Sequence, residues 1–181
     1  ISKDNKTIFF TRNSVNKKQK SLDGTQKLHI YQADIVRETI FSLMELKFNS
    51  KEYNCAHPAI SDDGKTLYFA SDMGGGSGGM DIWYVKMGPD GSWGTPLNMG
   101  NKVNTPGNEL FPYITGNLLY FASNGHEGLG GLDVYETKIK DYKAGKVYNM
   151  GKPVNSEHDD FAYYVSDSLK KGFLSSNRKT G

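Results

Sequence analysis

Residues 74–83, GGGSGGMDIW, set glycines in the G-x-G-x-x-G order of a loop that cradles a nucleotide phosphate. Such a site needs a helix after the glycines, because the helix's N-terminal amides hold the pyrophosphate. The run that follows here, DIWYVK, is β-branched and aromatic and reads as a strand. The remaining chemistry-bearing residues are scattered. His29, His57, His126 and His158 fall in different stretches and form no His-x-x-x-His set. Cys55 is the single cysteine, which excludes an internal disulfide, and with His57 it makes only two ligands of a zinc site. It reads as a packed strand residue. No G-x-S-x-G elbow occurs. Asp62 with Asp63, and Asp159 with Asp160, are sequence neighbours, which on a strand point to opposite faces. The first pair reads as a turn and the second as an acceptor of backbone amides. Calcium takes six to eight oxygens, of which Asp72, Asp81 and nearby carbonyls supply only some; Asp81 and Asp133 read as bonding loop amides and holding a turn. The expectation is a non-enzymatic chain with no catalytic residue, no metal and no cofactor.

The elements that carry these residues repeat. LYFASD at 67–72 returns as LYFASN at 119–124, and GGMDIWYVK at 78–86 returns as GGLDVYETK at 130–138, both 52 positions on. SKDNKTIFF at 2–10 matches the second half of HPAISDDGKTLYF at 57–69, and PLNMGNKVN at 96–104 is echoed by VYNMGKPVN at 147–155. FPYIT at 111–115 is matched to FAYYV at 161–165, and Ser176 and Asn177 to Ser123 and Asn124. Each unit divides into four strand candidates: HPAIS, TLYFASD, DIWYVKM and PLNMG in one, FPYIT, LLYFAS, LDVYETK and VYNMG in the next. Asp62-Asp63-Gly64 is a hairpin turn, and Gly116 and Asn117 replace it in the following unit. LYFA and IWYV are apolar at consecutive positions, as strands covered on both faces are. The predicted fold is all-β: a β-propeller, or an arc of one, of four-stranded antiparallel blades, about three and a half to four in number, with units 1–54, 55–106, 107–157 and an incomplete 158–181. One segment, 34–46, has Val36, Ile40, Leu43 and Met44 at helical spacing, but IFSLMEL also allows period-two burial and is read as an outer strand.

Composition agrees with a globular chain: 181 residues, 36% hydrophobic and 12% aromatic, too rich in packed-strand residues for disorder. A net charge of +2 gives no reason to expect nucleic acid, and KKQK at 17–20 reads as a solvated loop. No apolar stretch is long enough to span a bilayer, and the N-terminus is strand-like rather than a signal peptide. The sequence reads as an excised piece or mature fragment.

HPAISDDGKTLYFASD, followed by GGMDIWYV, WGTPLNMG and NTPGNELFP, closely resembles the WD-like, TolB-like propeller repeats of periplasmic OmpA-family proteins of Bacteroidota, over nearly the whole chain. In character the chain is most similar to the propeller of a type IX secretion system component that also carries tetratricopeptide repeats and a peptidoglycan-binding domain. The resemblance implies a periplasmic, outer-membrane-associated scaffold that binds envelope or secretion-system proteins. It would reach peptidoglycan only through a domain outside this chain, with no direct membrane insertion. The repeat motif maps onto His57, Pro58, Ser61, Asp63, Gly64, Tyr68, Phe69, Ser71, Asp72, Gly78, Gly79, Asp81, Ile82 and Trp83, with Gly130, Gly131, Asp133 and Tyr135 in the next copy. Two departures stand out: Phe111 sits in the place of His57, and the first unit has His29 for the aspartate and no Gly-Gly pair.

The glycine loops 73–80 and 125–131, with the basic loop 14–27, are expected on one side of successive blades, forming a composite face for a partner. Gly76, Ser77, His126, Glu127 and Trp93 are the candidate contact residues. Trp93 reads as an inter-blade plug or a binding anchor. If it is an anchor, the alternative is a carbohydrate- or peptide-binding propeller.

Overall fold

The computed structural model describes residues 1–14, 20–166 and 170–179, so most of the basic run at 17–20 lies outside the described residues. Four antiparallel meanders follow one another along the chain. The first sheet is β1 (Thr7–Asn13), β2 (Leu28–Val36) and β3 (Thr39–Glu45). The second is β4 (Cys55–Ile60), β5 (Thr66–Ser71), β6 (Asp81–Lys86) and the two-residue β7 (Leu97–Asn98). The third is β8 (Glu109–Thr115), β9 (Leu118–Ser123), β10 (Asp133–Lys140) and β11 (Lys143–Asn149), and the fourth pairs β12 (Asp160–Ser166) with β13 (Lys171–Ser176).

The register aligns the sheets residue by residue. Ser71 faces Asp81 across β5 and β6, Ser123 faces Asp133 across β9 and β10, and Arg12 faces His29 across β1 and β2. His29 therefore stands where the other two sheets have aspartate. Each hairpin turn follows from its residues. Ser61 and Asp63 hold one: the Ser61 hydroxyl donates to Asp63 Oδ1 at 2.6 Å, Asp63 Oδ1 accepts the Lys65 amide at 3.0 Å, and Gly64 takes φ +70°. The Ser61 hydrogen bond, with that of the Lys65 amide, lowers the Asp63 pKa from its ordinary value. Ser2, Asp4 and Asn5 build the same turn before β1.

The sheets stack face to face. Leu67, Phe69, Trp83 and Val85 of the second sheet meet Ile30, Leu46, Phe48 and Phe9 on one side. Tyr68, Ala70, Ile82 and Tyr84 meet Ile114, Leu119, Phe121 and Tyr135 of the third sheet on the other. That two-sided covering is why β5 and β6 are apolar without alternation: every residue of β5 is buried, and all of β6 except Lys86. Each large side chain so buried contributes ~1.5–3 kcal/mol.

Two expectations need correction or refinement. FAYYV aligns with FPYIT one position differently from the sequence match. The β-bulge residues with positive φ are His57 (+54°), Phe111 (+51°) and Ala162 (+52°), so Ala162, not Phe161, is the equivalent of Phe111. The helical spacing in 34–46 belongs to a β-hairpin, turned at Arg37 and Glu38 with φ +48° and +62°. Its β3 is exposed throughout and bulged near Ser42, so no burial period is imprinted on it.

Candidate functional site

The strand-connecting loops after β1, β5 and β9 lie at one end of their sheets, the end from which the chain leads into the next sheet. They are tied to that next sheet by a joint made three times. Asn54 Oδ1 accepts the Leu28 amide at 3.0 Å, Asn108 Oδ1 accepts the Met80 amide at 3.0 Å, and Asp159 Oδ1 accepts the Leu132 amide at 2.9 Å. Each of these residues also engages the residue that ends the second strand of its own sheet: Asp72, Asn124 and Asn177. At the Gly-Gly pairs of the loops after β5 and β9 the joint leaves no room for a side chain. A Cβ on Gly78 would lie 2.3 Å from the Pro106 backbone, one on Gly79 2.4 Å from Asn108 Oδ1, one on Gly130 2.1 Å from the His158 carbonyl, and one on Gly131 2.2 Å from Asp159 Oδ1. The Gly79 amide donates to the Gly107 carbonyl at 2.8 Å. The Gly-Gly pair is thus a close approach between sheets, not a phosphate cradle.

Behind the joint, a second repeated element fixes the start of the strand that follows each loop, β2, β6 and β10. Asn104 Oδ1 accepts the Ile82 amide at 2.7 Å while its Nδ2 donates to the Ile82 carbonyl at 2.9 Å. Asn155 does the same to Val134, both at 2.8 Å, and Asn49 to Ile30, at 2.9 and 2.8 Å. Asn104 and Asn155 are buried, and each gives the Ile82 or Val134 amide its acceptor beside a carbonyl that also takes the Met99 or Met150 amide at 3.1 Å. Sequence reasoning did not single these asparagines out, although the echo of NMGNKVN in NMGKPVN contains two of them.

Asp81 and Asp133 are buried within the loops. Asp81 Oδ2 accepts the Ser77 amide at 2.6 Å and Asn98 Nδ2 at 2.8 Å; Asp133 Oδ2 accepts the amides of Leu129 and Gly130. Gly76 lies against the Asp81 carboxylate. Glu127 is exposed, and its carbonyl accepts the Tyr135 hydroxyl at 2.9 Å. His126 packs on Tyr135 with ring centroids 5.0 Å apart, and its Nε2 meets the Val103 carbonyl at 2.8 Å, tying the third sheet's loop to the segment before that sheet. The exposed side chains of the rim thus include Ser77, Glu127 and Leu129, together with Leu22 of the loop after β1.

Trp93 lies elsewhere. Its indole N–H donates to Gln32 Oε1 at 3.0 Å and its ring meets Phe9 edge-on with centroids 5.8 Å apart, so it plugs the seam between the first two sheets. His57, Phe111 and Phe161 stack along the leading strands of three sheets, with centroids 3.9 and 5.0 Å apart. Burial lowers the His57 pKa to about 4, keeping the ring neutral. Cys55 is buried against Ser71, and burial pushes its thiol up to about 12, which removes it from thiolate chemistry. No group of three or more His, Cys, Asp or Glu placed to hold a metal occurs among the described residues, and no helix there is long and apolar enough to cross a membrane.

No protein-family model and no curated protein matches the sequence. Solved structures do. TolB from Acinetobacter baumannii is similar with a TM-score of 0.58 and 19% identity over 96% of this chain and 35% of that one. A putative TolB from Agrobacterium tumefaciens gives 0.55 and 22% over 83% of this chain and 47% of that one. The tricorn protease gives 0.62 and 11% over 98% of this chain and 20% of that one. The chain thus spans less than half the length of the TolB structures it matches. At these identities the likeness is one of architecture, shared by TolB and by a protease alike. By fold the chain is an all-β, TolB-like propeller structure of stacked antiparallel sheets.

Proposed function

We propose that the chain is a non-enzymatic scaffold, a propeller section with blade units 1–54, 55–106, 107–157 and 158–181, that holds partner proteins in a periplasmic, outer-membrane-associated assembly. The observation that carries this reading is the joint repeated at Asn54, Asn108 and Asp159, which locks successive loops into one rim and leaves Ser77, Glu127 and Leu129 facing outward. A rigid row of related loops suits recognition of a protein surface. The groups that would serve chemistry are occupied structurally: Cys55 is buried, His57 stacks between sheets and His126 bonds a backbone carbonyl. Likeness to the TolB fold supports an envelope setting. The motif resemblance narrows it to OmpA-family proteins of Bacteroidota, and within them to the propeller of the type IX secretion component PorE, with peptidoglycan anchoring by another domain. The carbohydrate- or peptide-binding alternative draws on Trp93 and the many tyrosines; of these, the Trp93 indole is taken up by Gln32 and Phe9. Affinity capture with the full-length protein from gently solubilised envelopes tests the proposal: envelope proteins that co-purify, and are lost when Leu129 and Ser77 are replaced by arginine, support it. Retention of the same partners by that variant would count against it.

A further inference from the structure

Thr66 and Tyr68 stand two positions apart on β5, on the face turned toward the third sheet, and are 5% and 4% exposed. Neither hydroxyl has a hydrogen-bond partner among the described residues; Thr66 meets Ser61 Oγ through its backbone amide, at 2.9 Å. Buried polar groups are ordinarily paired, so two open hydroxyls side by side call for an account. Both line one cleft of about 420 Å³ between the second and third sheets. It lies at the end where β5 begins, opposite the glycine-loop rim that β5 reaches at Ser71. Burial, ahead of the nearby Tyr142, Tyr84 and Asp63, pushes the Tyr68 pKa up to about 12, so its hydroxyl stays protonated and can both donate and accept.

The pair occurs in one sheet only. At the same positions the first sheet has Thr7 and Phe9, and the third has Leu118 and Tyr120, whose hydroxyl has the Glu136 carboxylate beside it. The open hydroxyls are therefore a property of this cleft and not of the repeat.

The rest of the lining shows what ligand would meet them. Asp62 and Asp63 come from one turn and Asp141 from the turn between β10 and β11, while Ile139 adds an apolar wall. Bonds to Lys3, Ser61 and the Lys65 amide occupy Asp62 Oδ2 and Asp63 Oδ1, which leaves the second oxygen of each carboxylate for a ligand. Three acidic side chains disfavour an anion. Cations already stand at the edge: Lys3 Nζ lies 3.0 Å from Asp62 Oδ2, and Lys86 Nζ lies 4.7 Å from the centre of the Tyr142 ring. A further cation is not called for. A neutral ring dense in hydroxyls matches every group, its hydroxyls donating to the carboxylates and exchanging hydrogen bonds with Thr66 and Tyr68, its apolar face against Ile139. We propose that this cleft binds a neutral saccharide. The site is at the far end of the sheets from the rim and stands independently of the scaffold reading.

Ligand-observed NMR and calorimetric titration of the full-length protein with a panel of neutral mono- and disaccharides, including glucose, galactose, mannose and N-acetylglucosamine, provide the test. At least one is expected to bind saturably. Tyr68→Phe and Thr66→Val keep the packed shape and remove one hydroxyl each. Each should weaken binding about five- to tenfold while leaving the melting temperature unchanged or raised, because the lost hydroxyl has no partner in the free chain. Asp141→Asn alters an exposed turn residue whose φ of +49° asparagine adopts readily, and should weaken binding likewise. Absence of saturable binding by every saccharide, or binding unaltered in folded Tyr68→Phe and Asp141→Asn variants, would overturn the proposal. Argininamide is titrated alongside: its saturable binding, with none by a saccharide, would assign the cleft to a cationic side chain and overturn the proposal equally.

Discussion

Asn104 clasps Ile82 by both ends of its amide, accepting the backbone N–H at 2.7 Å and donating to the backbone C=O at 2.9 Å. The side chain continues the pairing of β6 past the short β7, whose neighbour Met99 also donates its amide to the Ile82 carbonyl at 3.1 Å. Asn104→Ala leaves the buried Ile82 amide without its acceptor, while the carbonyl keeps the Met99 amide, and should cost about 1–3 kcal/mol. Asn155→Ala should behave alike at Val134. Denaturant unfolding of the two variants checks this, and a loss below about 0.5 kcal/mol would mean that water replaces the amide freely.

The loop glycines separate into two kinds. Gly78 and Gly79 face the next sheet's lead-in segment at distances no Cβ tolerates, whereas Gly74 has open space. Gly78→Ala should therefore destabilise the chain by about 1–3 kcal/mol, and Gly74→Ala should fall within about 0.5 kcal/mol of zero. Thermal melts of the two side by side make the comparison; equal effects would deny the close approach.

His57 sets a pH dependence. Its pKa falls from 6.5 in the unfolded chain to about 4 in the fold because of burial, so between those values the unfolded chain binds a proton that the folded chain refuses. Its contribution is fully present above the unfolded value and is lost as pH drops toward 4, on the order of 2 kcal/mol once its partial exposure is allowed for. His57→Phe, with Phe111 as precedent for an aromatic ring at this bulge, should flatten that slope in urea titrations run across the window.

The Cys55 thiol, buried and raised to about 12, should resist alkylation in the native chain and react once denaturant opens the second sheet. Mass spectrometry after an iodoacetamide pulse reads this directly. Rapid native labelling would show that β4 opens more readily than its burial allows.

The sequence made the repeat legible because its strongest signals are backbone requirements. Gly78, Gly79 and their copies Gly130 and Gly131 cannot vary where sheets touch, and Ser61 with Asp63 spells out a turn by side-chain hydrogen bonds. The bulge on the leading strands was illegible for the opposite reason. His57, Phe111 and Ala162 share a left-handed backbone but no side-chain chemistry, so matching Phe111 to Phe161 by residue type put the alignment one place out. Asp81 and Asp133 were visible as turn-holders, yet only the structure separates the oxygen that holds the loop from the one left open. Trp93 had two readings because a tryptophan in a Gly-rich segment suits either role, and only its contact with Gln32 and Phe9 separates them.

The central claim, that the loop rim is the partner-binding face, is most directly tested by photo-crosslinking in intact cells producing the full-length protein. A photoreactive residue is placed in turn at Leu129 on the rim and at Tyr148 on the outer strand β11, both exposed. The account predicts discrete adducts with envelope proteins from position 129 and none from position 148. Adducts from 148 alone, or none from 129, would contradict it.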